Sequence, residues 1–90
     1  MISEIDKKII IRCAKKYDVL AIYLFGSSLE DENGAPNDID LAVKGVQPTA
    51  FFKFYGELIR NLSKPVDLVD LSQKSLFNEI VEQKGVKIYG

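Results

Sequence analysis

The chain has 90 residues, 47% of them hydrophobic and 28% charged, with twelve basic side chains against thirteen acidic ones for a net charge of −1. That balance argues against direct nucleic-acid binding by bulk electrostatics, which needs several clustered Lys or Arg per site. Histidine is absent, so Ser-His and Cys-His triads, histidine zinc sites and histidine general bases are all excluded, and any chemistry must run on carboxylates, hydroxyls, lysines or a bound ion.

The length suits one domain over residues 1–90. No apolar run reaches the ~18–20 residues that cross a bilayer, so no membrane association is expected. The segment MISEIDKKII carries acids where a secretion signal is basic. A single cysteine, Cys13, has no partner for an internal disulfide. Together these features predict a cytoplasmic, reducing location, with Cys13 a packing residue rather than a nucleophile.

Ser3 is predicted to cap a first helix running to about Tyr17, with Asp6 as its capping-box partner. Ile5, Ile9 and Cys13 recur every four residues and Ile10 widens that apolar stripe. Residues 19–25 (VLAIYLF) form a continuous apolar run of strand length, rich in β-branched and aromatic side chains, and read as a buried strand. Gly26-Ser27-Ser28 breaks the run and can open a short helix; residues 30–37 (EDENGAPN) are polar with Gly and Pro and read as a loop.

A second strand covers residues 38–44, with Asp38, Asp40 and Ala42 on one face and Ile39, Leu41 and Val43 on the other. Pro48 suits the first turn of a helix over TAFFKFYGELIRNL, with Phe51, Tyr55, Leu58 and Leu62 at helical spacing. Gly56 inside it costs about 1 kcal/mol relative to Ala. The aromatic cluster Phe51, Phe52, Phe54 and Tyr55 spans more than one helix face. Two arrangements stay open: some rings form a partner or self-association surface, or Phe51 and Tyr55 fill the core while loops cover the others. Residues 65–71 (PVDLVDL) are a third strand, with Asp70 a turn or capping residue. Ser72 then caps a last helix carrying Leu76, Phe77, Ile80 and Val81; Gly85 ends it and VKIY adds a short edge strand. The fold class is α+β, an α/β sandwich in which one sheet of three to four strands is covered by helices.

Three carboxylates stand out. Asp38 and Asp40, two apart on a strand, project from one face at roughly 6–7 Å between Cα atoms, although strands are normally poor in Asp. Asp67 lies second in the next apolar strand, where burial is expensive unless compensated. If the strands are neighbours, the three acids form an oxygen-only set suited to Mg²⁺ or Mn²⁺. Taken singly, Asp-x-Asp is more often a solvated strand edge than a site. A strand ending in Gly26-Ser27 before a helix offers N–H groups and a hydroxyl to phosphate oxygens, while a Gly-Ser pair alone is equally a plain turn.

The stretch LFGSSLEDENGAPNDIDLAV, with Gly26-Ser27 ahead of Asp38-Ile39-Asp40, resembles the signature of the polymerase-beta-like nucleotidyltransferase superfamily. PVDLVDL is similar to the segment that supplies its third carboxylate, here Asp67. The length and the ending, a helix followed by GVKIY, resemble the minimal nucleotidyltransferases, the small prokaryotic branch of MntA-type antitoxins. That resemblance implies a mixed sheet, with Gly26 and Ser27 holding the terminal phosphates of a nucleoside triphosphate. Asp38, Asp40 and Asp67 would be catalytic and would ligate two Mg²⁺ ions (or Mn²⁺), with Asp67 also helping to deprotonate the acceptor hydroxyl.

The implied activity is transfer of a nucleoside monophosphate, AMP from ATP, to a hydroxyl of a HEPN-domain toxin, with this chain the antitoxin. The acceptor-binding surface is expected to come from a second copy, as a homo-oligomer, or from that partner protein. One departure is visible: many members carry an arginine soon after Gly-Ser, whereas this chain has Ser28-Leu29-Glu30-Asp31-Glu32. Those acids read as a solvated loop. The departure keeps open an alternative, a non-catalytic binding antitoxin that retains the fold.

Overall fold

Hydrophobic alternation in β-rich segments and helical periodicity between them place seven elements in the computed structural model, which describes residues 2–26 and 38–90. In chain order these are α1 (Glu4–Lys16), β1 (Ala21–Leu24), β2 (Ile39–Lys44), α2 (Pro48–Asn61), β3 (Val66–Asp70), α3 (Leu76–Lys84) and β4 (Val86–Tyr89). The expected short helix after Gly26 and the loop over residues 30–37 lie outside the described residues. So do Ser27 and the acids Glu30, Asp31 and Glu32.

The strands form one mixed sheet in the order β3-β2-β1-β4. β1 pairs antiparallel with both β2 and β4, while β2 and β3 run parallel, as their connection through the α2 crossover requires. The fold class expected from the sequence is thus borne out, with four strands among the described residues, within the three to four expected. Ile22, Leu24, Ile39, Leu41 and Val43 point to one side of the sheet and pack with Ile10 and Cys13 of α1 and Phe54 and Leu58 of α2. Ala21, Tyr23, Ala42 and Leu71 meet Val81 of α3 on the other side. No helix among the described residues is long and apolar enough to cross a membrane.

Several local expectations are corrected. In α1 the inward stripe is Asp6, Ile10, Cys13 and Ala14; Ile5 is 72% exposed. Ser3 does cap the helix, its Oγ accepting from Asp6 N–H at 3.1 Å, but Asp6 does not close a capping box. Its carboxylate is buried and instead accepts from Ser63 N–H (3.1 Å) and Ser63 Oγ–H (2.5 Å) beyond α2. Asp6 thus takes an inward position at the start of the stripe, while Ile9, Ile10 and Cys13 pack as expected. Leu20, placed in the predicted first strand, precedes β1 and is exposed.

In α2, Phe54 is the fully buried ring, Phe51 and Tyr55 are half-buried, and Phe52 is 80% exposed. Phe54 is therefore the innermost ring, with Phe51 and Tyr55 packed against the core beside it. Ser75, not Ser72, caps α3, its Oγ accepting from Asn78 N–H at 3.0 Å. Ser72 N–H donates to Asp70 Oδ1 (2.9 Å) in a turn, so the chain is not yet helical there. With the cap moved, Asn78 and Val81 face inward, and Leu76, Phe77 and Ile80 are exposed. Gly85 ends α3 as expected, its N–H bonded to Val81 O.

Candidate active site

The parallel register of β2 and β3 pairs Ile39 with Val66 and Asp40 with Asp67. The two acids stand side by side at one strand spacing, roughly 4.8 Å. Asp38 lies one residue ahead of β2. Asp40 is half-buried, whereas Asp38 and Asp67 are exposed. Like charges directly opposite each other on a sheet are destabilising, so this corner favours positive charge.

Gly26 completes the corner. Its φ of +59° lies in the left-handed region, which costs an L-residue with a side chain roughly 1–2 kcal/mol. A Cβ built there would fall 2.8 Å from Asp40 Oδ2 and 3.5 Å from its Cγ. The backbone thus passes directly over the Asp40 carboxylate, a place only glycine fills without moving it. Phe25 N–H donates to Asp40 O at 3.2 Å, which extends the β1–β2 ladder to this point.

Of the sequence-predicted site residues, the structure brings together Gly26, Asp40 and Asp67, and places Asp38 one residue ahead of the strand that carries Asp40. Ser27 lies outside the described residues. Among the described residues no three acidic or thiol side chains converge into a ready-made metal-binding group. The donor chemistry of the Asp40–Asp67 pair nevertheless fits a hard divalent cation, which takes carboxylate oxygens.

Two features of the surroundings were not legible in the sequence. Phe77 of α3 meets Phe25 edge-to-face at 5.8 Å, so an aromatic pair flanks the residue before Gly26. Asn78 donates from Nδ2 to Asp70 O (3.2 Å) and Gln73 O (2.6 Å), tying α3 to the end of the strand that carries Asp67. Neither pairing has a spacing signal, because both depend on how α3 lies on the sheet.

A second polar cluster lies on the α1–α2 side. Glu57 accepts from Lys16 Nζ, from Tyr17 OH at 2.9 Å and from Cys13 Sγ at 3.5 Å. The Lys16 ammonium first, and the Tyr17 hydroxyl next, hold the Glu57 carboxyl below the ordinary glutamate range. Burial, followed by the hydrogen bond to Glu57, pushes the Cys13 thiol up to about 11. A thiol that is protonated at neutral pH and 1% exposed is a packing residue, as expected, and not a nucleophile.

With this geometry in hand, residues 7–90 match the family "Polymerase beta, Nucleotidyltransferase". The chain belongs to that family of nucleotidyltransferases. Its resemblance to the minimal type is borne out by solved structures. A toxin–antitoxin complex with AMP-PNP contains a chain 30% identical over 93% of this chain and 73% of that one, with a TM-score of 0.71. The MntA–HepT toxin–antitoxin structure matches at 26% identity over 98% and 73%, also with a TM-score of 0.71. A tri-AMPylated Shewanella oneidensis HEPN toxin in complex with an MNT antitoxin matches at 28% identity over 94% and 70%, with a TM-score of 0.70. No curated protein matches the sequence.

Proposed function

We propose that this chain transfers AMP from ATP to a hydroxyl of a HEPN-domain partner, acting as the antitoxin of a toxin–antitoxin pair. The observation that carries the reading is the corner where the Gly26 backbone crosses the Asp40 carboxylate with Asp67 in the neighbouring register. The similarity to toxin–antitoxin structures, one holding AMP-PNP and one an AMPylated toxin, supports the donor and the acceptor. Residues 1–90 would act as one catalytic unit in the cytoplasm.

In this reading Gly26 and Ser27 bind the terminal phosphates, and Asp40 and Asp67, with Asp38 beside them, would hold Mg²⁺. Bound divalent metal supplies charge neutralisation for the attacking and leaving oxygens of an in-line displacement. The acceptor oxygen bonds to the α-phosphorus, the bond from that phosphorus to the bridging oxygen breaks, and pyrophosphate leaves. The hydroxyl proton passes to the Asp67 carboxylate, which is exposed to an incoming side chain.

The test is mass spectrometry of the HEPN partner after incubation with the chain, ATP and Mg²⁺. We expect one or more added AMP masses, and a loss of at least about 10²-fold in rate for Asp40→Asn without a change in far-ultraviolet circular dichroism. No added mass with any nucleoside triphosphate would overturn the catalytic reading. The segment Glu30-Asp31-Glu32, where many relatives have an arginine, favours a second reading, neutralisation of the partner by contact alone. In that case Asp40→Asn would still silence the partner.

A further inference from the structure

We infer that Tyr55 is a positioning residue for Asp67, acting from α2 through the backbone of β3; the inference rests on the carboxylate reading above. Among the described residues β3 is the terminal strand of the sheet, with β2 as its single neighbour. At its start, Ile39 N–H donates to Pro65 O at 2.8 Å. Residues alternate their backbone polar groups between the two sides of a strand, so the next carbonyl, that of Val66, faces away from β2 toward the open edge. Tyr55 OH reaches it and donates at 3.1 Å.

The peptide unit so held is the one joining Val66 to Asp67. Its carbonyl is fixed from the helix, while its partner across the sheet is the Ile39–Asp40 stretch. Pro65 has no N–H and offers no further tie at this end. The Tyr55 ring is itself steadied by Phe51, edge-to-face at 6.0 Å. Removing the hydroxyl leaves a carbonyl on a free edge and lets the first turn of β3 twist, and the side chain that moves with that twist is Asp67. Ligand orientation by a hydrogen bond one step removed commonly changes metal affinity.

The test is Mn²⁺ binding, counted by electron paramagnetic resonance in the presence of a non-hydrolysable ATP analogue. It compares the unmodified chain with Tyr55→Phe, Asp67→Asn and Tyr17→Phe, all well below their melting temperatures. Tyr17→Phe deletes a hydroxyl of comparable hydrogen bonding on the same helix pair but remote from the carboxylates. We expect Asp67→Asn to lose most Mn²⁺ binding, Tyr55→Phe to weaken it by about tenfold, and Tyr17→Phe to leave it unchanged. With the HEPN partner and ATP, Tyr55→Phe should lower kcat while KM for ATP holds. If Asp67→Asn weakens Mn²⁺ binding and Tyr55→Phe does not, the positioning role is overturned alone. If Tyr17→Phe weakens it as much as Tyr55→Phe, the effect is general loosening and the role is likewise overturned. If Asp67→Asn has no effect, the carboxylate reading falls and takes the Tyr55 role with it.

Discussion

Gly26 and Asp40 constrain each other. A methyl group at position 26 would meet Asp40 Oδ2, the far end of a side chain that can rotate. The strain of Gly26→Ala therefore divides unequally. The positive φ costs roughly 1 kcal/mol of folding stability, while most of the contact is relieved by swinging the carboxylate aside. We expect a small shift in the urea midpoint together with a loss of Mn²⁺ binding near that of Asp40→Asn, both measurable on one preparation. The individual residues of this corner were legible in the sequence, because a glycine after an apolar run and an acid in an apolar strand each contradict local preference. Their closeness was expected only from the family resemblance and on the condition that the strands are neighbours, since it depends on register, while Tyr55 and Phe77 read as ordinary helical aromatics until the helices are docked.

Helices α1 and α3 show what spacing alone leaves open at helix starts. The apolar stripe of α1 read from the sequence included Ile5, but the buried Asp6–Ser63 pair fixes the rotation and leaves Ile5 in water. In α3 two serines compete for the cap. Ser75 carries the bond to Asn78 N–H, and Ser72 sits in the Asp70 turn. Ser75→Ala should cost about 1 kcal/mol in chemical denaturation, and Ser72→Ala no more than ~0.5 kcal/mol. Equal costs would contradict this placement of the cap. The strands were better defined by the sequence, because period-2 alternation in residues 39–43 sorts Ile39, Leu41 and Val43 from Asp40 and Ala42 without needing tertiary information.

Taken as a whole, the molecule keeps its stabilising polar cluster and its candidate chemistry on different sides of the sheet. Glu57 joins α1 to α2 through Lys16 and Tyr17, on the side away from Asp40 and Asp67. Because the folded chain holds the Glu57 carboxyl below its ordinary range, the stability it contributes is present above the unfolded glutamate pKa and is lost as pH falls through the folded value. The difference in melting temperature between the unmodified chain and Glu57→Gln should be largest near neutral pH and should shrink as pH falls through the lowered folded value. Nucleotide transfer at neutral pH should be unaltered by the same substitution. The overall class was recoverable from the sequence because helices and strands alternate with short connections, whereas the β3-β2-β1-β4 order was not, as edge positions leave little mark on composition.

The parallel pairing of β2 with β3 has a kinetic corollary. Gly26 and Asp40 belong to an antiparallel ladder around β1, whereas Asp67 joins only when the whole α2 crossover has closed on the sheet, a non-local step that carries its entropy cost before any contact rewards it. Chains in which this crossover is opened by heat would hold only half of the acid pair.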